Sequence, residues 1–488
     1  MVWGASSGAG KSLLATALCR WAARQGLSVA PFKAQNMSNN ARVVPMHAGA
    51  AASELGEIGS AQYFQALAAR ALPQVDMNPV LLKPESDTAS QVVLQGRVDA
   101  ALAHLPWRER SARLALAARA SFERLAAQHE LLVLEGAGSP AEINLAPHDY
   151  VNLDAARWAR QCGRLAAVLV ADIDRGGAFA HLHGTWALLP ADLRGALAGF
   201  VLNKFRGDAA LLAPGPAQLQ ALTGVPLLGV LPMRRDHGLP EEDGVFAAPA
   251  PAAGAGGPRI AVVAWPHLSN LDEFQPLAHV AALRWARRAA ELDDADWIVL
   301  PGSKQTSGDL AWLRAQGLVE PIVRHAARGR PVLGICGGMQ MLGRTLADPE
   351  GVDGAACDAL PGLGLLPLVT RYAAPKRLRR AALRFGAAAA PWHALARRGL
   401  AAYEIRCGRS EAVGASAAAV LFDAEGEAIG WQSGSVLGIA AHGLFEDAGV
   451  LRALFGRAAR TLDDAFDALA DLVECHLGAA TLRALMRA

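Results

Sequence analysis

Residues 331–343, Pro-Val-Leu-Gly-Ile-Cys-Gly-Gly-Met-Gln-Met-Leu-Gly, constrain the fold of this chain more than any other segment. An apolar strand over 332–335 ends in Cys336, with Gly334 before it and Gly337 and Gly338 after it, and a helix-compatible stretch follows. Glycines around a strand-to-helix turn admit backbone angles closed to other residues, so the side chain between them is thrust into a cleft. Peptide N–H groups at the start of the helix then face that side chain, favouring a thiolate and offering an oxyanion hole. A buried cysteine in an ordinary βα unit is the plainer alternative. The single glycine on one side and the pair on the other favour the exposed elbow.

At 488 residues the chain exceeds what one hydrophobic core organises, and two or three domains are expected. Hydrophobic residues make up 52% of it, enough to fill them. Its 47 basic and 45 acidic residues leave a net charge of +2 without long runs of one sign, unlike the footprint of a nucleic-acid binder. The arginine-rich run 377–384 reads as the solvated face of a helix. Cysteines at 19, 162, 336, 357, 407 and 475 show no CxxC or Cys/His ligand spacing. Neither a disulfide framework nor structural zinc is expected, and a reducing cytoplasm fits. No signal peptide is expected ahead of the glycine loop at Gly4, and no apolar run reaches membrane-spanning length.

Short β-type runs alternate with amphipathic helical stretches, the pattern of parallel α/β domains. The clearest strands are 131–134, 166–170, 199–202, 260–263, 297–300 and 331–335. Residues 247–258, Ala-Ala-Pro-Ala-Pro-Ala-Ala-Gly-Ala-Gly-Gly-Pro, lack a large apolar side chain and are rich in breakers. They read as a linker between a domain over 1–246 and a second α/β domain over 259–455, with a helical tail at 456–488 expected to pack on the second domain.

Gly4-Ala-Ser-Ser-Gly-Ala-Gly-Lys-Ser12 is a phosphate-binding loop. Gly8 and Gly10 let backbone N–H groups converge on phosphate oxygens, Lys11 can reach β/γ oxygens, and Ser12 can ligate Mg²⁺. The leading glycine sits one residue earlier than in GxxxxGK[ST], a spacing that resembles dethiobiotin-synthetase-like ATPases. A full first strand needs more than Met1, Val2 and Trp3, so the natural start is expected a few residues earlier. Glu135 ends the strand 131–134, where P-loop enzymes hold Mg²⁺, and is a candidate metal ligand or water-orienting group. Asp172, Asp174 and Arg175 follow the strand 166–170 and suit metal–phosphate chemistry or a surface ion pair. Asn203 and Lys204 follow the strand 199–202 and resemble the adenine-reading position of the same ATPases. The polar runs 33–40, 57–62 and 76–84 contain Gln35, Asn36, Glu57, Gln62, Asn78 and Lys83. Dense amides and charges after apolar segments suit loops that grip a large polar substrate, and equally suit caps and turns.

Cys336 needs a base, and His442 in Gly-Ile-Ala-Ala-His-Gly-Leu-Phe is the best placed of the 13 histidines, ending an apolar run before a glycine. A thiolate–imidazolium pair with backbone donors is an acyl-transfer site. The N–H groups of Gly302 and Ser303, after the strand 297–300, with that of Gly337, are the expected oxyanion donors.

These residues together resemble class I glutamine amidotransferases. With the N-terminal ATPase motif, the blocks 33–36, 57–62, 76–84, 135–145, 301–306, 334–343 and 403–408 resemble the CobB/CobQ-type amidotransferases, the cobyric acid synthase family in particular, over roughly 1–450. The resemblance implies a P-loop, dethiobiotin-synthetase-like parallel-sheet domain followed by a flavodoxin-like class I amidotransferase α/β domain. It implies ATP and Mg²⁺ as cofactors, glutamine as nitrogen donor and a corrinoid small-molecule substrate, with no nucleic-acid or membrane partner. The implied reaction is amidation of carboxylates b, d, e and g of adenosylcobyrinic acid a,c-diamide in cobalamin biosynthesis. Cobyrinic acid a,c-diamide synthase shares the architecture, and the blocks 33–40 and 76–92 favour the cobyric enzyme. A P-loop regulatory ATPase with a silent amidotransferase-like module is opposed by the Cys336/His442 pair. CTP synthase shares the domain order but keeps a Glu two residues after the histidine, where this chain has Leu444. That lack is shared with the cobyric and cobyrinic synthases and leaves the third group of the site unassigned. The family's usual Tyr-Glu-Ile-His is Tyr403-Glu404-Ile405-Arg406 here, and its Tyr-Leu-His-Gly is Ala440-Ala441-His442-Gly443; both changes bear on packing near the thiol.

Overall fold

A computed structural model describes residues 1–85, 88–234, 237–239, 257–414, 417–457 and 460–486. The chain divides into two compact units: one of residues 1–38, 44–239 and 462–488, the other of 39–43 and 240–461. Most of the expected linker, 247–256, lies outside the described residues.

In the first unit four parallel strands run in the order Val2–Gly4, Ala167–Asp172, Leu197–Phe205, Leu227–Pro232. A parallel pair, Val29–Phe32 with Leu131–Leu134, extends this layer through a lone bridge between Val2 and Glu135. The strand Ala167–Asp172 is buried along its whole length, as parallel strands covered on both faces are. The helix Lys11–Arg24 leaves the phosphate loop and buries Leu14 through Ala22.

The tail helix Leu462–Leu477, followed by the short helix Ala479–Met486, packs on that same helix, which corrects the expectation that the tail covers the second domain. Its buried Ala465, Phe466, Leu469, Ala470, Val473 and Leu477 recur at helical spacing. Its acidic side matches a basic partner: Arg20 meets Asp463 at 3.0 Å and Asp467 at 2.8 Å, and the Trp21 indole donates to Glu474 at 2.7 Å. Charge complementarity across some 447 positions has no local signature in the sequence.

The second unit is built on an 11-stranded sheet. Its parallel part runs Ala282–Ala286, Arg259–Val263, Trp297–Leu300, Val332–Ile335, Val436–Ile439. An antiparallel extension follows through Ala428–Ser433, Ala418–Phe422 and the long pair Leu368–Phe385 with Gly399–Ala412. The run 377–384 therefore lies on a strand and not on a solvated helix face. Arg379 stands opposite Glu404 in the ladder and bonds it at 2.7 Å, and Arg377 meets Glu427 at 2.8 Å. Cross-strand ion pairs of this kind let an arginine-rich segment stay extended. The other strands read from the sequence lie on observed strands, the mixed α/β character expected. Among the described residues no helix is long and apolar enough to cross a membrane.

Candidate functional sites

Cys336 sits at φ 50°, in the left-handed region, between the strand Val332–Ile335 and the short helix Gly337–Leu342. Its N–H donates to the Ile439 carbonyl at 2.8 Å, fixing the elbow to the neighbouring strand. A Cβ on Gly338 would lie 1.9 Å from the Leu300 carbonyl oxygen, so only glycine lets the helix start this close to the sheet. Ile335 and Ile439 are register partners, which brings the ends of their two strands side by side. His442, three residues past Ile439, therefore arrives beside Cys336, near enough for the two side chains to influence each other. The thiol also reaches the Ile405 carbonyl at 3.9 Å.

The imidazole is fixed from its other side by a residue the sequence reading missed. Nδ1 of His442 lies 2.9 Å from Oε1 of Glu273, and Oε2 of the same carboxylate accepts from Gly443 N at 3.0 Å. Glu273 is fully buried and His442 is 2% exposed. Burial alone would push the imidazole pKa down; the Glu273 and Cys336 charges and hydrogen bonds outweigh it and raise it from 6.5 to about 10. The missing acid two residues after the histidine signals that a carboxylate must come from elsewhere. Nothing local singles out Glu273, 169 positions away.

The segment expected to supply oxyanion donors lies against the thiol elbow. Gly302–Ser303 pairs with Leu268–Ser269, and a Cβ on Gly337 would come within 2.8 Å of Ser303 N, so the two segments abut. Asp309 accepts from the Ser303 hydroxyl at 2.5 Å and from His267 N at 3.1 Å, holding that loop. Gly302 packs on the imidazole: a Cβ there would meet His442 Cε1 at 2.8 Å. Arg406, in place of the family's usual histidine, is taken up by Glu404 at 2.6 Å and the Gly408 carbonyl at 2.7 Å.

In the first unit Gly8 and Gly10 have φ of 71° and 100°. A Cβ on Gly10 would strike Asn203 Nδ2 at 2.0 Å. Asn203 donates to Ala9 O at 3.0 Å and Lys204 to Gly8 O at 2.8 Å, so both brace the phosphate loop from the end of Leu197–Phe205. Lys11 Nζ donates to the carbonyls of Ser6 and Gly138, each at 3.1 Å. The Ser12 hydroxyl donates to Glu135 Oε1 at 2.8 Å, bringing the two expected metal ligands together. Lys33 meets the same oxygen at 2.8 Å, and Gln65 donates to the other at 2.5 Å. Burial would raise the Glu135 pKa; Lys33 and these hydrogen bonds outweigh it and hold the carboxyl below its usual range. Asp172 pairs with Lys204 at 3.1 Å and Arg175 at 3.4 Å, and Asp174 pairs with Arg206, so this trio forms ion pairs at the rim of the loop.

The candidate substrate residues divide. Asn36, Gln62 and Asn78 converge on Gly59, whose added Cβ would meet all three within 3.2 Å. Asn78 spends its amide on backbone: Gly59 N, Lys33 O and Val80 O. Glu57 and Lys83 form a buried ion pair. Gln35 accepts from the Tyr150 hydroxyl at 2.5 Å. Gln62 is fully buried, and among the described residues both its amide atoms lack a hydrogen-bond partner.

Two family models match in order: the CobQ/CobB/MinD/ParA nucleotide binding domain over residues 1–244 and the CobB/CobQ-like glutamine amidotransferase domain over 259–450. Curated proteins named cobyric acid synthase align along the whole chain. The one from Methylibium petroleiphilum is 61% identical, covering 100% of this chain and 96% of that protein. Those from Leptothrix cholodnii and Variovorax paradoxus are each 59% identical over 100% of this chain, and over 96% and 98% of their own lengths. Full-length identity at this level, joined to both domain matches, means that the chain belongs to the cobyric acid synthase family of CobB/CobQ-type glutamine amidotransferases.

Proposed function

We propose that this chain carries out the family's reaction with two chemistries divided between its units, a thiol that frees ammonia from glutamine and a phosphate loop that activates a corrinoid carboxylate. The carrying observation is the Cys336 elbow facing an imidazole whose far nitrogen is held by a buried carboxylate. A structural cysteine needs none of these; a nucleophile needs all of them.

His442 takes the proton of Cys336, and Sγ attacks the glutamine carboxamide carbon. The oxyanion is met by N–H groups at Gly302, Ser303 and Gly337. The C–N bond breaks, ammonia leaves with the proton from His442, and water then cleaves the thioester to glutamate. Glu273 keeps the imidazole in the tautomer that offers Nε2 to the thiol and stabilises its charged form.

In the other unit the glycine conformations at Gly8 and Gly10, the Lys11 ammonium and the Ser12–Glu135 pair fit a Mg²⁺-nucleotide. Ser12 and Glu135 would hold the metal, which supplies positive charge to the terminal phosphate oxygens. Lys11 neutralises the transferring phosphoryl group, while Asn203 and Lys204 keep the loop in shape. A corrinoid carboxylate oxygen attacks the γ-phosphorus and ADP departs. Ammonia then displaces phosphate from the acyl carbon to give the amide. Gln35, Asn36 and Gln62 are the residues offered to the corrinoid, Gln62 with the clearest unmet hydrogen-bonding capacity. Asn78, Glu57 and Lys83 frame that wall through bonds among themselves and to the backbone.

The test incubates the purified chain with ATP, Mg²⁺, glutamine and cobyrinic acid a,c-diamide, and follows product mass. Stepwise conversion of carboxyl to amide at four positions is expected. No conversion of this corrinoid, with conversion of cobyrinic acid itself, would transfer the chain to the a,c-diamide synthases.

A further inference from the structure

Five residues of the N-terminal family domain, 39–43, belong to the unit that carries the thiol. They are tied in by two side-chain hydrogen bonds at adjacent residues. Asn40 Oδ1 accepts from Leu271 N at 2.9 Å, and Asn270 Nδ2 donates to the Ala41 carbonyl at 3.0 Å. Next to them Arg42 is buried beside carboxylates: it bonds Asp272, and it meets Glu446 at 2.6 Å. Its guanidinium also lies 4.8 Å from the centre of the Tyr403 ring.

The partners of Arg42 stack on the imidazole or lie on the segments that carry it and its orienting acid. Tyr403 stacks on His442, with centroids 5.4 Å apart and planes 23° apart. Its backbone brackets the histidine on both sides, donating to His442 O at 3.2 Å and accepting from His442 N at 2.8 Å. Its hydroxyl accepts from Asn270 at 2.7 Å. Asp272 precedes Glu273, and Glu446 lies four residues past His442 on the turn that Gly443 begins. Asp272 and Glu273 are buried and Glu446 is partly exposed, and carboxylates gathered in this way repel one another unless a cation sits among them. Arg42 is that cation, and its flat face presses Tyr403 toward the imidazole.

We propose that Arg42 is a positioning residue for His442, supplied by the domain that binds nucleotide. Through it glutamine hydrolysis depends on the segment that follows Gln35 and Asn36. That dependence rests on the reading of Gln35 and Asn36 as corrinoid contacts; the positioning role does not. A base held by a residue from the synthetase half loses its alignment when that half is not set for amidation, which limits idle release of ammonia.

The experiment measures glutamine hydrolysis by Arg42→Ala and Arg42→Lys, with and without cobyrinic acid a,c-diamide, alongside amidation driven by ammonium chloride. In Arg42→Ala the glutaminase kcat is expected to fall about tenfold with KM for glutamine little changed, since alignment and not binding is lost. Arg42→Lys restores part of it, because charge returns without the planar stack. Ammonium-driven amidation persists and reports that the variant is folded. Cobyrinic acid a,c-diamide is expected to stimulate glutamine hydrolysis by the unaltered chain, and to do so less in Arg42→Ala. An unaltered kcat, or parallel loss of both nitrogen sources, overturns the positioning role. Full stimulation of a slowed enzyme overturns the coupling alone. Gln35→Ala and Asn36→Ala serve as the separate control: an unchanged KM for the corrinoid would discard the contact reading and leave the Arg42 result standing.

Discussion

The thiol site and the phosphate loop handle charge in opposite ways. Around Cys336 the protein supplies every charge itself, a thiol, an imidazole and a carboxylate, all nearly sealed from water. Around Lys11 the carboxylate of Glu135 is already engaged by Lys33, Ser12 and Gln65, and Lys11 rests on carbonyl oxygens. The difference follows from the reactants. Glutamine brings a neutral amide to the thiol, so nucleophile and base must be set in advance. A nucleotide brings several negative charges and a cation with it. The loop's own groups are held in place by bonds within the protein, with glycine backbone N–H groups left to meet that charge.

The widest separation between the two sites is expected from Lys11→Ala. Loss of the ammonium proposed to meet the transferring phosphoryl group should lower amidation from glutamine and from ammonium salts alike, by about a hundredfold or more. Glutamine hydrolysis in the absence of acceptor should survive. Normal amidation in this variant would remove the phosphate loop from the mechanism.

Glu273→Gln sharpens the other side. With the carboxylate charge gone, the glutaminase kcat should drop by roughly ten- to a hundredfold at constant KM, and ammonium-driven amidation should stay. The pH profile carries a sign. The imidazole pKa is raised from 6.5 to about 10, so the imidazolium persists through neutrality and is lost only as pH rises toward 10. Burial opposes that shift, and Glu273 is the largest influence that sustains it. In the variant the alkaline limb of glutaminase activity should move to lower pH. A limb that stays put would show that Glu273 does not act on His442.

The smallest effect concerns the tail. Asp467→Ala removes a partner of Arg20, whose side chain is 3% exposed while Asp467 is 45% exposed. Half-exposure of the carboxylate limits the cost to about 1–2 kcal/mol. Thermal unfolding should shift down while both nitrogen sources retain their kcat. A selective loss of glutamine-driven activity would place the tail with the thiol site after all.

How much of this the sequence carried depended on distance along the chain. The elbow at Cys336 and the loop at Lys11 are written in consecutive residues, because glycine placement and strand ends are local matters. His442 was legible from its strand-end context, and parallel strands in register did the rest. Glu273, Lys33 and Arg42 were not, since each meets its partner across more than 100 positions and no motif marks it. The tail was misplaced for the same reason. Its apolar stripe was visible, but its docking surface is chosen by Arg20, Trp21 and Arg24 at the far end of the chain. The run 377–384 misled because arginines on a strand need acids opposite them, and those came from Glu404, Asp423 and Glu427.

The division of labour itself is tested most directly by Cys336→Ala, assayed by product mass with cobyrinic acid a,c-diamide, ATP and Mg²⁺, once with glutamine and once with an ammonium salt. The account predicts no amide from glutamine and four-step amidation from ammonium. Amidation from glutamine, or silence with both donors in a folded protein, would contradict it.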